Sequence, residues 1–339
     1  MEKFADMKNT YFLLGLDDHG KSQKKEQYKE GKKLKTYRFS GVMPLDNIFK
    51  KFDLSSNLII IDNWLEIKVT LTDAKKLTLV NLIACADSSS NSLKMAQQLC
   101  KQIPFKKIIN HPEKIEKTAR SLIGKLDHLK NLIIPKSITI KAQSYQELLN
   151  AISENAIKFP LVIRIPHFHG GKYMKLLNDS SEITEIDDWF SISNSFNLSE
   201  YYNVQNEFGY YHKARFVVIK GKVVPRHIIY SKNWCIHTDS REKDMLNNEM
   251  LRNLEKDFLA FRSPLLNDRV MSTIKQIYDE FQLEIFGVDC ALLPDGTIVI
   301  FEANAAMNFL AQNYGDNNEF YYLKPVVQKV ERKLIKLIS

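Results

Sequence analysis

Asp289, Glu302 and Asn304 are the residues whose spacing most directly suggests chemistry. They lie in Phe286–Asn308, FGVDCALLPDGTIVIFEANAAMN, where two apolar runs flank Pro294-Asp295-Gly296. Asp-Gly is the favoured two-residue type I′ hairpin turn. With Asp295-Gly296 as that loop, Asp289 sits directly opposite Glu302. Asn304 then lies two residues on, on the same face. Carboxylates facing each other at roughly 5 Å repel, and the apolar surroundings screen them poorly. A bound cation resolves the conflict: two carboxylates and an amide oxygen form a hard donor set suited to Mg²⁺ shared with phosphates. The plainer alternative is a polar strand end with water between the acids, and convergence of three oxygen ligands argues against it.

A second hairpin is expected over residues 213–230, KARFVVIKGKVVPRHIIY, around Lys220-Gly221. A two-residue loop places Arg215 opposite Arg226, with Lys213 on the same face. Three cations on one face suit a polyphosphate or an acyl-phosphate transition state, and Arg suits bidentate oxygen binding. A basic solvent-facing strand is the ordinary alternative. Just upstream, Tyr202–Phe208 (YNVQNEF) crosses from apolar to polar. It reads as backbone at Asn206–Phe208 offered to an adenine, with the Glu207 carboxylate offered to a ribose.

These residues need elements to hold them. Residues 58–61, 77–83 and 107–110 read as buried strands, and 92–103 has helical spacing. His111-Pro112-Glu113 opens a helix that is expected to run to about Leu126. Residues 131–140 and 160–165 return as strands. Ser144 with Glu147 forms a capping box for the helix between them. His167–Lys172 is a Gly-containing loop, and residues 178–200, rich in Ser, Asn and Asp, read as a loop or lid. From Tyr201 the order is strand, hairpin, two helices, second hairpin and C-terminal helix. Alternating strands and helices argue for a mixed α/β and α+β architecture.

The 339 residues are enough for two domains or three lobes. The formal net charge of +8 fits an anionic ligand such as ATP, an acidic substrate or an acidic peptide, with nucleic acid a less favoured partner. Seven lysines fall in residues 21–35, KSQKKEQYKEGKKLK, which reads as a solvated loop or helix face. Cys85, Cys100, Cys235 and Cys290 are scattered, without a C-x-x-C pair or zinc spacing. They read as free thiols in a reducing compartment. The polar start MEKFADMKNTYF is unlike a signal peptide. No apolar run approaches a membrane span, so a cytoplasmic protein is expected.

Taken in order, these pieces resemble the ATP-grasp superfamily. The pieces are Arg164 in PLVIR, the Gly loop HFHGGK, the NEF segment, the K-x-R strand and the D…E-x-N hairpin. The likeness is to the glutathione-synthetase and ribosomal-S6-modification-like branch. More specifically, it is to ATP-grasp domains often attached to tetratricopeptide repeats, though no such repeats are apparent in this sequence. It covers about residues 80–310, through stretches such as IINHPEKIEKTAR and YYHKARFVVIKGKVVPRHIIYSKNWCIHT. The resemblance implies an ATP-grasp fold with an N-terminal Rossmann-like domain over 1–130, a small subdomain over 131–200 and a large subdomain with the metal hairpin over 201–339. It implies ATP and two Mg²⁺ ions as cofactors, with Asp289, Glu302 and Asn304 as the metal ligands. Arg120, Arg164, Gly170, Gly171, Lys172 and Lys213 would bind nucleotide phosphates, and Asn206, Glu207 and Phe208 the nucleoside. Arg215 would steady the transferring phosphoryl group, with Arg226 beside it. His227, Trp234, His237 and Asn308 would line the substrate pocket; core packing and structural histidines are the plain alternative. His167 and His169 are read as loop residues that cover phosphates or simply face solvent. Members of the superfamily are often dimers, which implies a homodimer.

The expected function is ATP-dependent joining of a carboxylate to an amine or thiol through an acyl phosphate, on small-molecule or peptide substrates. Two alternatives stand beside it: an ATP-grasp kinase for a small molecule or inositol phosphate, and a non-catalytic nucleotide-binding module.

Overall fold

A computed structural model describes residues 7–18, 23–29, 32–38, 43, 45–54, 57–61, 74–84, 86–119, 124–166, 168, 171–311 and 319–339. Arg120, His167, His169, Gly170 and Cys85, all singled out above, lie outside the described residues. The other three cysteines are free.

The first sheet is parallel. β1 (Thr10–Gly15) is flanked by β4 (Leu58–Ile61) and β5 (Thr78–Asn81), and β5 pairs with β6 (Lys107–Ile109). A parallel sheet is stable when both faces are covered, and here both are. Leu13 and Leu79 are buried in one core with Leu93, Ala96 and Leu99 of the helix Ser90–Gln102. Phe12, Leu14 and Val80 belong to a second core with Ile48 and the C-terminal helix Lys324–Ile338. Between β1 and β4 the chain makes a separate hairpin, β2 (Gln23–Lys29) against β3 (Lys32–Arg38). The described residues of the lysine-rich run, 23–29 and 32–35, are therefore strand rather than loop or helix.

The second sheet is antiparallel, ordered β10 (Met174–Leu177), β9 (Leu161–Arg164), β11 (Ser195–Glu200), β8 (Ser137–Lys141). β11 lies in a segment expected to be a loop or lid. Its sequence SFNLSE places Phe196 and Leu198 on one face, and both are fully buried. Two apolar residues at period two are enough to seat a strand between β9 and β8 despite the polar composition. The helix Tyr145–Glu154 covers this sheet. Ser144 Oγ accepts from the Glu147 N–H, as a capping box requires, but the Glu147 carboxylate reaches back to the Gln143 N–H rather than to that of Ser144.

The third sheet is ordered β13 (Lys222–Ser231), β12 (Tyr211–Ile219), β14 (Ile285–Leu292), β15 (Ile298–Asn304), β7 (Leu132–Ile133). Pro135 follows β7, so residues 131–140 form two short strands that serve different sheets. The helices Glu249–Leu259 and Asp268–Phe281 pack beneath the third sheet through Phe258 against Phe216 and Phe281 against Phe286. The helix opened by His111-Pro112-Glu113 is shorter than expected. It covers Pro112–Ile115, passes into a 3-10 turn at Glu116–Thr118, and is extended by Ala119. The Thr118 hydroxyl bonds the Ile115 carbonyl there, competing with the helical ladder.

Asn110 joins the first and third sheets. Its side chain donates to the carbonyls of Ile285 (2.7 Å) and Ala305 (3.1 Å) and accepts from the Ile285 N–H (3.0 Å). Its backbone sits at φ 57°, a conformation Asn tolerates better than most residues.

His212 on β12 is buried. Its Nε2 meets the Leu292 backbone, and its Nδ1 has no hydrogen-bond partner among the described residues. Burial lowers its pKa from 6.5 to about 4, against a raising hydrogen bond to Leu292. Below about pH 6.5 the unfolded chain binds this proton and the folded chain does not. The stabilisation from His212 is therefore complete above pH 6.5 and is lost as pH falls towards 4. Urea unfolding across that window should show stability dropping by up to about 1.4 kcal/mol per pH unit from this group, and His212→Gln should flatten the profile.

Candidate active site

The metal hairpin places Asp289 opposite Glu302, but by a route different from the expected one. The loop has three residues: Leu293 pairs with Thr297, and Gly296 takes φ 85°. That longer loop alone would shift the register. A bulge between Asp289 and Cys290, with Phe301 as the extra residue, restores it. Gly287 then pairs with Asn304, so Asn304 stays on the face of Glu302.

The cationic hairpin has a bulge at the same level, between Arg215 and Phe216. Here the expectation fails. Arg215 pairs with His227, and Arg226 is the extra residue. The Arg226 guanidinium is buried and donates to the carbonyls of Phe309 (2.7 Å) and Ala311 (2.9 Å). Arg215 also pairs with Asp289 across β12 and β14. One row therefore crosses four strands: Glu302, Asp289, Arg215, His227.

Within that row the facing acids already have a cation. Arg215 donates twice to Asp289, Nε to Oδ1 at 2.6 Å and a terminal nitrogen to Oδ2 at 2.8 Å. Lys213 Nζ stands 3.8 Å from Asp289 Oδ2 and donates to the Ile236 carbonyl. Burial alone would raise the Asp289 carboxyl, but Arg215, helped by Lys213, holds its pKa below the usual aspartate value. Burial opposes charge on Arg215, yet Asp289 and Glu302 raise its pKa. The His227 imidazole is held well below its ordinary pKa by burial and by Arg215 beside it.

A cavity of about 270 Å³ opens between the second and third sheets. Its lining includes Arg164 from β9, Lys213 from β12, Asp289 from β14 and Glu302 from β15. Trp234 and His237 also line it, while His227 does not. Asn206, Glu207, Phe208 and Asn308 are not in the lining. Residues 206–209 form an exposed turn closed by the Asn206 side chain, which accepts from the Phe208 and Tyr210 N–H groups, and Phe208 is 64% exposed. The chain instead borders the cavity at Ser199–Tyr202 and Val204, where it leaves β11 and crosses towards β12. Sequence reading missed Glu200 and Tyr201 because β11 itself was missed, and it placed the contact of Tyr202–Phe208 at the wrong end of that segment; the Phe196/Leu198 alternation was the available signal. Tyr201 meets Trp234 edge to face at 6.1 Å.

Gly171 packs against His237 and Cys235, two residues of the cavity lining. A Cβ built there would lie 2.7 Å from His237 Nε2 and 3.1 Å from Cys235 Sγ, at φ 77°. Lys172 lies over the rings of Phe168 and Tyr173. Gly209 has the same φ of 77°, but its nearest non-neighbouring atom would be 3.8 Å away. Gly171→Ala should therefore cost more than Gly209→Ala. Backbone strain of roughly 1 kcal/mol is common to both, and the excess in chemical denaturation measures the contact with His237 and Cys235.

No family model matches the chain, and no curated protein matches its sequence. Solved structures do resemble it. The D-alanine–D-alanine ligase from Bacillus anthracis superposes with a TM-score of 0.51 at 11% identity, over 97% of this chain and 97% of that one. The chain has the ATP-grasp fold. The same ligase complexed with ATP superposes with a TM-score of 0.49 at 13% identity, over 96% of this chain and 98% of that chain. A RimK domain ATP-grasp protein from Sphaerobacter thermophilus gives 0.46 at 10% identity, over 96% and 97%. No described helix is long and apolar enough to cross a membrane. Among the described residues no cluster of three or more His, Cys, Asp or Glu could hold a metal ion. Of the three oxygen residues expected to hold a metal, Asp289 and Glu302 line the cavity, while Asn304 does not and its Oδ1 accepts the Ala306 N–H at 3.1 Å.

Proposed function

We propose that this ATP-grasp chain is an ATP-dependent ligase that activates a carboxylate and joins it to an amine. One observation carries the reading: a single cavity between two sheets gathers the β11-to-β12 crossing, the cations Arg164 and Lys213, and the facing acids Asp289 and Glu302. Residues 1–130, 131–200 and 201–339 would serve as an N-terminal domain and two clamping subdomains. The apolar residues Val204 and Ile300 would hold the base, with Glu200 and the crossing backbone reading its polar edge. Arg164 and Lys213 would offset phosphate charge. Arg215 would keep Asp289 ionised and oriented beside the transferring group. Asp289, Glu302 and Asn304 would hold Mg²⁺, which supplies charge neutralisation to the phosphates.

The reaction then runs in two steps. The substrate carboxylate oxygen bonds to the γ-phosphorus as the bond to the β–γ bridging oxygen breaks, leaving ADP and an acyl phosphate. The amine nitrogen bonds to the acyl carbon, phosphate leaves with the C–O bond pair, and the amine proton passes to solvent. Such catalysis is mostly positioning and electrostatics. Packing of the Gly171 loop on Cys235 and His237 would keep water from the acyl phosphate.

The test is a screen of carboxylate and amine pairs for ADP and phosphate release, with hydroxylamine as a trap. A hydroxamate supports the acyl phosphate. ADP release with a phosphorylated alcohol would favour a kinase. Thermal unfolding supplies a second check, because Mg-ATP at about 100 times its dissociation constant should add roughly 2.7 kcal/mol. Absence of any shift would sink nucleotide binding at this cavity.

A further inference from the structure

Two reactive side chains of the cavity make and break no bond in the reaction above. Cys235 and His237 both line the cavity, and Cys235 Sγ lies 3.1 Å from His237 Nε2. Among the described cysteines, Cys235 alone lines that space. Cys290 is fully buried on β14, where its thiol is held well above the ordinary pKa. Cys100 sits on the helix Ser90–Gln102, where burial pushes its thiol up to about 12.

Four hydrogen bonds fix the segment that carries the pair. The Ser231 hydroxyl accepts from the Asn233 N–H at 3.0 Å, and the Asn233 side chain accepts from the Cys235 N–H at 2.9 Å. The Ser240 hydroxyl accepts from the His237 N–H at 3.2 Å. Between the two residues, the Ile236 carbonyl accepts from Lys213 Nζ at 2.8 Å. Lys213 also stands 3.8 Å from Asp289, so the segment is tied to the charged end of the cavity.

Burial raises the Cys235 thiol above its ordinary pKa, against a lowering effect of Lys213. The thiol is therefore protonated near neutral pH and needs a base to become a nucleophile. Burial, with Lys213, lowers the pKa of His237, so its imidazole is neutral there. With the ring proton on Nδ1, Nε2 is free to accept the thiol proton. Gly171 lies against both side chains, where a Cβ would meet His237 Nε2 at 2.7 Å and Cys235 Sγ at 3.1 Å. A thiol, a neutral imidazole within reach of it and a backbone cover are the parts of an acyl-accepting nucleophile.

We propose that Cys235 receives the acyl group as a thioester, with His237 as its general base, before the amine does. The inference rests on the ligase reading, which supplies the acyl phosphate. The Cys235 sulfur bonds to the acyl carbon, the C–O bond to phosphate breaks, and phosphate leaves with that electron pair. His237 takes the thiol proton and hands it to the departing phosphate. The amine nitrogen then bonds to the thioester carbon, and the C–S bond breaks with its pair on sulfur. His237 takes the amine proton and returns it to sulfur, which restores the pair. Phosphate can thus leave before the amine enters the same cavity.

The test uses the full chain and acetyl phosphate, an acyl phosphate that needs no ATP to form. Acetylation of Cys235 is expected, located by peptide mass mapping and removed by neutral hydroxylamine, which spares acetyl-lysine. Its rate should exceed that of N-acetylcysteine by about 100-fold or more, and should fall by a similar factor in His237→Gln. Cys235→Ala should lose the labile acetyl group. Circular dichroism checks the fold of both variants; if neither folds, the wild-type rate against N-acetylcysteine decides alone. Stabilisation by Mg-ATP with Cys235 acetylated no faster than N-acetylcysteine would overturn the relay and leave the ligase reading, with direct attack by the amine, standing. Acetylation of Cys235 in a chain that Mg-ATP does not stabilise would overturn both. An unchanged rate in folded His237→Gln would also overturn the proposal, since a thiol that merely packs under Gly171 needs no base.

Discussion

Arg215→Met is expected to lower the unfolding free energy by about 3–5 kcal/mol, the range for removing one partner of a buried ion pair. The guanidinium is the cation that lets Asp289 and Glu302 face each other inside the sheet. Its side chain is 19% exposed and that of Asp289 only 6%, so water compensates little. Without it, Asp289 loses two hydrogen bonds and, among the described residues, keeps the more distant Lys213 as its cation. A distinctive second result follows. Mg²⁺ without nucleotide should raise the melting temperature of the variant more than that of the wild type, because the two acids then lack their resident cation. Urea unfolding with and without Mg²⁺ reads both effects. A loss under about 1 kcal/mol, the level of a surface pair, would show that Arg215 is not what balances the acids.

Glu255→Ala should cost a comparable amount, about 3–5 kcal/mol. Glu255 is fully buried on the helix Glu249–Leu259. Its carboxylate accepts two hydrogen bonds from Arg241, one from the Tyr322 hydroxyl at 2.6 Å, and one from the Ile228 N–H at 3.1 Å. β13 is the outer strand of its sheet, so Glu255 caps a backbone donor next to His227. The alanine variant leaves Arg241 buried and uncompensated beneath Phe320. Tyr322→Phe removes one donor to that carboxylate and should cost less, about 1.5–3 kcal/mol. Glu255→Leu/Arg241→Met should recover much of the single-variant loss, since an apolar pair can replace a buried ion pair at little cost. Additive losses in that double variant would contradict this account.

The two hairpins mark the boundary between what the sequence dictates and what it leaves open. Turn chemistry and apolar runs locate both hairpins, and Asp289 does face Glu302. The loop that was expected to achieve this is one residue longer, and a bulge offsets it. In the other hairpin the two-residue loop is as expected, and the bulge alone moves Arg226 out of the row and His227 into it. Bulges need no special residue at a fixed offset; they arise where a twisted sheet must aim side chains at a common site. Both fall at the row that holds Arg215 and Asp289.

By itself the sequence determined the element types carried by strong periodicity: three of the four strands of the first sheet, all but β1, the capped helix after Ser144, and the two hairpins with their charged residues. Those features rest on local physics, namely apolar period, turn residues and cap hydrogen bonds. Tertiary structure alone decided three things. It seated the polar segment Ser195–Glu200 as an inner strand, because two buried side chains outweigh weak propensity. It brought Glu200–Tyr202 rather than Glu207 to the cavity, because the crossing begins where that strand ends. It also gave Asp289 a protein cation, because Arg215 comes from a strand 74 residues distant in sequence, and no local pattern encodes which strand will lie beside another.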